Sequence, residues 1–203
     1  MIQKMSVYLP MDRRQALARG DVLPERTTGA ALFADISGFT SLTEAMVRFF
    51  GKRRGAEELP RQLNRVYDSL IGQVHRYGGS VIGFAGDGIT CWFDEADGEA
   101  SVRATACAFA LQEAMAAFAT LSLPSAGGIT PASLASIPVK LALKVAVASG
   151  AACRFLVGNR DIQLLEVIAG QTVARMTTGE HLANKGEVVV DAPTVAQLPQ
   201  VNV

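Results

Sequence analysis

The sequence has no excess of either charge, little cysteine and no long apolar run. Its 203 residues include 19 basic and 19 acidic residues and three cysteines. A formal net charge of zero offers no electrostatic attraction for nucleic acid or an anionic membrane surface. The longest apolar stretch, near residues 104–123, is interrupted by Gln112 and Glu113, and the charged N-terminus lacks the apolar core of a secretory signal. These absences predict a cytoplasmic protein that binds neither nucleic acid nor membranes.

The three cysteines, Cys91, Cys107 and Cys153, are far apart in the sequence and lie in apolar surroundings. This pattern is typical of small core residues in a reducing compartment, and it disfavours a disulfide or a cysteine metal site. The length suits one domain with a few additions and is sufficient to bury a core.

Apolar periodicity and turn signals divide the chain into alternating strands and helices. The predicted strands span residues 29–35, 79–85, 88–93, 139–149, 151–156, 162–168 and 186–191. The predicted helices span residues 40–50, 57–77, 97–118 and 171–184. The predicted loops and turns are a basic, solvated loop at 51–55, with phosphate contact as the alternative, a long loop at 122–138 and a turn at 158–161. This order predicts an α+β sandwich, with helices packed against a mainly antiparallel sheet.

Residues 31–44, ALFADISGFTSLTE, combine the end of a buried strand with the start of a helix. The apolar run ends at Asp35, Gly38 allows a sharp turn, and Thr40 is the predicted N-cap. A carboxylate beside a helix N-terminus suits a metal-bound phosphate, because the helix amides attract the phosphate and the carboxylate holds the cation. An ordinary strand–turn–helix corner, with Asp35 as a solvated cap, explains these residues equally well.

Residues 78–93 read GGSVIGFAGDGITCWF. From residue 79 on, they predict two short apolar strands joined at Gly86-Asp87-Gly88. Asp-Gly is a common hairpin corner, so Asp87 alone is explained as a turn residue. Taken together, Asp35 and Asp87 are two carboxylates at strand ends, one of them beside a helix start. This combination predicts a pair of Mg²⁺ ligands.

The motif FADISGFTSLTE, followed by GGSVIGFAGDGITCWF, resembles the catalytic domain of class III nucleotidyl cyclases, the adenylyl and guanylyl cyclases. The resemblance runs from about Thr28 to about Asp191 and is nearest to the first of the two cyclase domains of soluble, bicarbonate-responsive adenylyl cyclases. It implies a ferredoxin-like βαββαβ core with extra strands, the class III cyclase fold. It also implies an N-terminal lead-in over residues 1–27 and a cyclase homology domain over residues 28–203.

The resemblance assigns two Mg²⁺ ions, with Mn²⁺ as a substitute, to Asp35, Asp87 and the carbonyl of Ile36. Two such ions suit cyclisation of a nucleoside triphosphate, because one lowers the pKa of the ribose 3′-hydroxyl and the other neutralises the triphosphate. The backbone N–H groups of Phe39 and Thr40, after the turn at Gly38, are expected to hold the β- and γ-phosphates.

The residues that recognise the base and stabilise the transition state in this family are absent. A lysine and a second purine-contacting residue are replaced by Gly83 and Val167. The ribose-orienting asparagine and the transition-state arginine are replaced by Ala174 and Thr178, and Arg175 is three residues from the arginine position on a helix. In the family, an active site lies between two domains, and a partner domain supplies these groups.

We therefore expect the metal-binding half of a nucleotidyl cyclase. It would convert ATP or GTP to the 3′,5′-cyclic nucleotide and pyrophosphate in intracellular signalling, and it would be inactive without a complementary second cyclase domain, as part of a longer protein. Bicarbonate binding by this chain is not expected, because the lysine and arginine positions for it are Gly83 and Thr177. The choice between ATP and GTP stays open.

Two other functions are compatible with the sequence. One is a catalytically silent cyclase-like module for regulation or dimerisation, against which the retention of both aspartates argues. The other is a polymerase-like palm, which shares the βαββαβ core and the two-carboxylate chemistry. A palm requires a basic surface for its template, and this neutral chain lacks the charge for one.

Overall fold

Helices and strands alternate along the chain in the computed structural model, which describes residues 9–118, 121–123, 135–137, 140–159 and 163–199. The helices are α1 (Met11–Arg19), α2 (Phe39–Arg76), α3 (Ala100–Ala116), α4 (Gln171–Leu182) and α5 (Ala192–Val195). The strands are β1 (Arg26–Ser37), β2 (Ser80–Ala85), β3 (Gly88–Asp94), β4 (Leu121–Leu123), β5 (Ala135–Ile137), β6 (Ala142–Asn159), β7 (Gln163–Ala169) and β8 (Val188–Val190).

The main sheet has β1 at its centre, in the strand order β2-β3-β1-β6-β7. β1 pairs antiparallel with both β3 and β6, and β8 pairs parallel with β6. The units β1, α2, β2, β3, α3 and β6 form a βαββαβ core with the antiparallel order of a ferredoxin-like fold. β7 and β8 are the extra strands, so the predicted α+β fold class is confirmed.

Side chains of β1 alternate between the two faces of the sheet. Leu32, Ala34 and Ile36 are fully buried in the larger apolar cluster with residues of α2 and α3. Ala31 belongs to a second cluster on the opposite face, which includes Met176 of α4. Because successive side chains of a strand point to opposite faces, Asp35 lies on the face that α4 covers.

Two predicted breaks between elements differ from the structure. The predicted helices at 40–50 and 57–77 are the two halves of α2, which meet at a kink where Gly51 has φ 76° and ψ 167°. The basic residues after Gly51 are helical, so the predicted loop at 51–55 is wrong. The strands predicted at 139–149 and 151–156 are one continuous strand, β6, because pairing with β1 runs through Gly150 without a break.

The predicted loop at 122–138 lies largely outside the described residues. At its two ends, β4 and β5 pair with each other as a two-stranded antiparallel ribbon. Of the predicted turn at 158–161, Gly158 and Asn159 belong to β6, and the rest lies outside the described residues.

Two cysteines confirm the prediction that they are core residues. Cys91 and Cys107 are fully buried and free, while Cys153 is half-buried. Burial raises the pKa of the Cys107 thiol to about 12, so it stays protonated and unreactive at neutral pH.

The N-terminal helix α1 is attached to the sheet by buried charges. Arg154 of β6 is 2% exposed and forms ion pairs with Asp12 of α1 and, at 2.9 Å, with Glu166 of β7. Arg13 donates a hydrogen bond of 2.8 Å to the same Glu166 carboxylate, and the N–H of Asp12 donates to the Ser80 hydroxyl of β2 at 2.9 Å. Part of the predicted lead-in is therefore packed on the sheet, and the boundary at residue 27 stays a prediction.

No helix among the described residues combines the length and apolar character needed to cross a membrane.

Replacing Arg154 with methionine is expected to lower the free energy of unfolding by about 3–5 kcal/mol, because Asp12 would lose its buried counter-charge and Glu166 would keep only that of Arg13. Urea denaturation measures this change. The control is Arg19→Met, which removes an exposed ion pair with Asp21 and should cost less than about 1 kcal/mol. Equal losses in the two variants would contradict a buried, paired charge at Arg154.

Candidate active site

The β2–β3 hairpin places Asp87 beside the end of β1. Asp35 lies directly opposite Gly88 in the pairing of β1 with β3. The carbonyl of Asp87 accepts two hydrogen bonds, one from the N–H of Ile36 at 3.4 Å and one from the Tyr67 hydroxyl of α2 at 3.3 Å. The structure thus brings Asp35, Ile36 and Asp87 together, as the two motifs predicted. Their role as metal ligands stays a prediction.

Glycine shapes the hairpin that carries Asp87. Ala85 pairs with Gly88, so the two turn residues are Gly86 and Asp87, and Gly86 has φ 62°. Glycine at the first turn position with positive φ is the pattern of a type II′ turn, whose twist matches that of the strands. A Cβ at Gly88 would lie 2.4 Å from the ring of Phe33, so the packing of this ring requires glycine at position 88. The exposed carboxylate of Asp87 is held at a tight, defined corner.

Helix α2 starts immediately after β1, and its N-cap lies two residues before the predicted N-cap at Thr40. Gly38 is the N-cap, with φ 106°, and a Cβ there would lie 2.5 Å from the carbonyl oxygen of Lys140. Phe39 and Thr40 are consequently the first two helical residues, and their N–H groups have no acceptor within the helix. These two groups therefore offer donors for an anion next to Asp35.

Other negative charges near Asp35 destabilise the ionised form of its carboxyl group. Burial raises the pKa of its carboxyl above the ordinary value, the negative charges of Asp87 and Glu180 raise it further, and Lys144 lowers it. A divalent cation would relieve this repulsion. Among the described residues, no three or more acidic, histidine or cysteine side chains converge on one metal position. Two carboxylates plus backbone and substrate oxygens fit Mg²⁺, which is commonly bound by one or two carboxylates and substrate phosphates.

The sequence did not identify three further residues of the site. Lys144 lies opposite Asp35 in the pairing of β1 with β6, and its Nζ is 3.8 Å from Oε1 of Glu180 on α4. Tyr67 fixes the Asp87 carbonyl from α2. Alternation within β6 placed Lys144 on the polar face of its strand. No local signal reveals the register of β6 against β1 or the approach of α4, so Lys144 and Glu180 could not be assigned to the site.

Two positions on α4 lack the asparagine and the arginine that the family resemblance predicts there. Ala174 and Thr178 are exposed on α4, and the Thr178 hydroxyl donates to the Ala174 carbonyl at 3.0 Å. Arg175 is held elsewhere, because its Nε donates to Asp191 at 2.7 Å and its second guanidinium nitrogen donates to the Ser149 carbonyl, also at 2.7 Å. Arg175 therefore does not replace the missing arginine at Thr178.

The fold and the sequence both match known cyclases. The adenylyl cyclase CyaB from P. aeruginosa superposes with a TM-score of 0.64 at 22% identity, over 87% of this chain and 82% of that chain. A non-canonical dimeric guanylyl cyclase domain of the RhoGC fusion protein from the fungus Blastocladiella emersonii superposes with a TM-score of 0.62 at 16% identity, over 85% and 84% of the two chains. At these identities, the likeness shows the fold.

Among curated proteins, adenylate cyclase type 10 of Rattus norvegicus is 36% identical over 93 residues. This match covers 43% of the present chain and 6% of the rat protein, so the chain corresponds to a small part of that relative's length. The family described as the adenylate and guanylate cyclase catalytic domain matches residues 25–203, which is most of the chain. With its two motifs, its ferredoxin-like core and this match in agreement, the chain belongs to the adenylate and guanylate cyclase catalytic domain family.

Proposed function

We propose that this chain is the metal-binding half of a nucleotidyl cyclase that converts ATP or GTP to the 3′,5′-cyclic nucleotide and pyrophosphate in cytoplasmic signal transduction. The observation that supports this most directly is the juxtaposition of Asp35 and Asp87 at the ends of paired strands, beside the first N–H groups of α2. When bound there, two Mg²⁺ or Mn²⁺ ions lower the pKa of the ribose 3′-hydroxyl and neutralise the triphosphate.

Each residue of the site has a separate task in this proposal. Asp35, Asp87 and the Ile36 carbonyl bind the cations. The N–H groups of Phe39 and Thr40, exposed by the sharp bend at Gly38, hold the β- and γ-phosphates. The ammonium of Lys144 lies on the same side of the sheet as Asp35 and compensates the charge of the phosphates.

A second cyclase homology domain completes the site. The missing base readers, ribose asparagine and transition-state arginine have no substitute on the described surface around α4, since Arg175 is bound to Asp191 and Ser149. Losing the charge of an arginine beside a transferring phosphoryl group costs about 10³–10⁵ in rate in related chemistry. The isolated chain is therefore expected to be silent, and two copies of it would share the same deficiency.

An exposed apolar ribbon offers a docking surface for that partner domain. We call residues Phe155–Asn159 of β6 and their partners in β7 the arm. Within the described residues, the two strands of the arm pair with each other. The arm extends beyond the pairing of β6 with β1, which ends at Cys153. Val157 pairs with Leu165, and the two are 53% and 56% exposed. An exposed apolar face of this kind marks an interaction surface. The guanylyl cyclase domain from Blastocladiella forms a non-canonical dimer, so domains of this fold can pair, and we assign a second cyclase domain to this surface.

The first test measures cyclic nucleotide formation from ATP or GTP with Mg²⁺ or Mn²⁺. The chain is assayed alone and mixed with a cyclase domain that carries the lysine, asparagine and arginine but has alanine at its own two metal aspartates. We expect activity only in the mixture, and its loss in Asp35→Ala and Asp87→Ala. The matched control is Asp97→Ala, which removes an exposed carboxylate beyond the opposite end of β3 and should leave activity unchanged.

Turnover by the isolated chain at the rate of the mixture would contradict the half-site proposal. If both samples are silent and nucleotide binding does not depend on metal, the chain is instead a regulatory or dimerisation module.

A second test concerns the arm. Leu165→Glu is expected to weaken association with the same partner domain at least about tenfold, because a charge would have to be buried at the interface. The free energy of unfolding should change little, since Leu165 is exposed. Fluorescence anisotropy of the labelled partner measures the affinity. Val22→Glu, at an apolar residue that is 88% exposed between α1 and β1, is the control. Equal affinities of the two variants would exclude the arm from the interface.

A further inference from the structure

Glu180 lies on α4, outside the two sequence motifs, and its side chain extends to the candidate site. Its helix lies unusually close to the sheet, because a Cβ at the preceding residue, Gly179, would be 3.3 Å from Cβ of Ala146 and 3.5 Å from Val189. This close approach places Oε1 of Glu180 3.8 Å from Nζ of Lys144. The Glu180 and Lys144 side chains are 16% and 29% exposed, so both are largely withdrawn from water.

The ion pair of Glu180 with Lys144 lowers the positive charge that the site presents to a nucleotide. Lys144 is the cation that lies across from Asp35, and Glu180 already compensates it. The other oxygen of Glu180 is 3.3 Å from Nδ1 of the exposed His181. Asp35, Asp87 and Glu180 together outnumber Lys144, so the site carries an excess of negative charge. Because Asp35, Lys144 and Glu180 are partly buried, their charges interact more strongly than they would in water.

We propose that Glu180 makes nucleotide binding dependent on metal, by occupying Lys144 and adding a third negative charge at the site. This inference rests on the proposed function and names a residue that determines which form of the substrate is accepted. A free triphosphate is repelled by the three carboxylates and has to compete with Glu180 for Lys144. A triphosphate accompanied by divalent cations brings the positive charge that Asp35, Asp87 and Glu180 lack.

A purely structural role for Glu180 has a different signature. The contact of Glu180 with Lys144 is longer than a hydrogen bond and its other partner, His181, is exposed, so the contribution of Glu180 to folding is small. Loss of a structural residue would weaken binding of every form of the nucleotide. Loss of the selective charge would strengthen binding of the metal-free form alone.

The test measures the affinity of the full chain for a fluorescent, non-hydrolysable ATP analogue, in EDTA and in Mn²⁺, so it requires no turnover. We expect Glu180→Gln to raise the affinity in EDTA roughly tenfold, as removal of one nearby repulsive charge predicts, and to change the affinity in Mn²⁺ less than about threefold. Glu180→Asp keeps the charge and should retain the metal dependence of the natural sequence.

The matched control is Glu25→Gln, which makes the same charge change on an exposed residue immediately before β1, about 30 Å from Asp35 along the strand. An unchanged affinity of Glu180→Gln in EDTA, or a parallel loss in EDTA and Mn²⁺, would overturn the inference. Urea denaturation of Glu180→Gln distinguishes such a parallel loss from unfolding.

Asp35→Ala in the same assay separates this inference from the proposed function. If the analogue binds the natural sequence equally well with and without Mn²⁺, or if Asp35→Ala retains the metal dependence, the metal site itself is refuted. If Asp35→Ala loses the metal dependence while Glu180→Gln behaves as the natural sequence does, only the role of Glu180 is refuted.

Discussion

The hydrogen-bond register of β1 against its two neighbours is the constraint on which both the fold and the site depend. This register puts Gly88 on one side of Asp35 and Lys144 on the other. A slip by one residue would turn Asp35 into the apolar core under α2 and α3 and bring Leu32 and Ile36 to the opposite face. The burial of those apolar side chains therefore fixes the position of the carboxylate. The stability of the sheet and the geometry of the site have the same physical origin.

Two clusters of charge show what distinguishes the site from the rest of the sheet. Around Arg154, opposite charges are paired, hydrogen-bonded and buried, so the cluster is satisfied by the chain itself. Around Asp35, carboxylates accumulate with Lys144 as the neighbouring cation that lowers the pKa of Asp35. The charge of Arg154 is thus neutralised by the chain, whereas the negative charge around Asp35 is not. Such an imbalance is typical of sites that complete their charge with a ligand.

Local patterns carried most of what could be predicted. The apolar run ending at Asp35 and the glycine-flanked Asp87 are signals of a few consecutive residues, and the family resemblance covers both. Lys144 and Glu180 depend on the register of distant strands and on the approach of α4, for which no short pattern exists. Thr40 was a reasonable N-cap by residue preference, but the chain already turns at Gly38, where a side chain would strike the carbonyl of Lys140. Steric contact between distant segments overrides local preference there.

The exposed positions on α4 have a consequence for how such a domain accepts substitutions in evolution. Ala174 and Thr178 face solvent, and the buried polar network of this region is satisfied without them, through Arg175 and Asp191. Their side chains can therefore be exchanged without opening a cavity or orphaning a buried group. Folding exerts almost no selection on them. The proposed division of labour between two cyclase domains would thus be able to change at the surface of α4, while the scaffold beneath it stays the same.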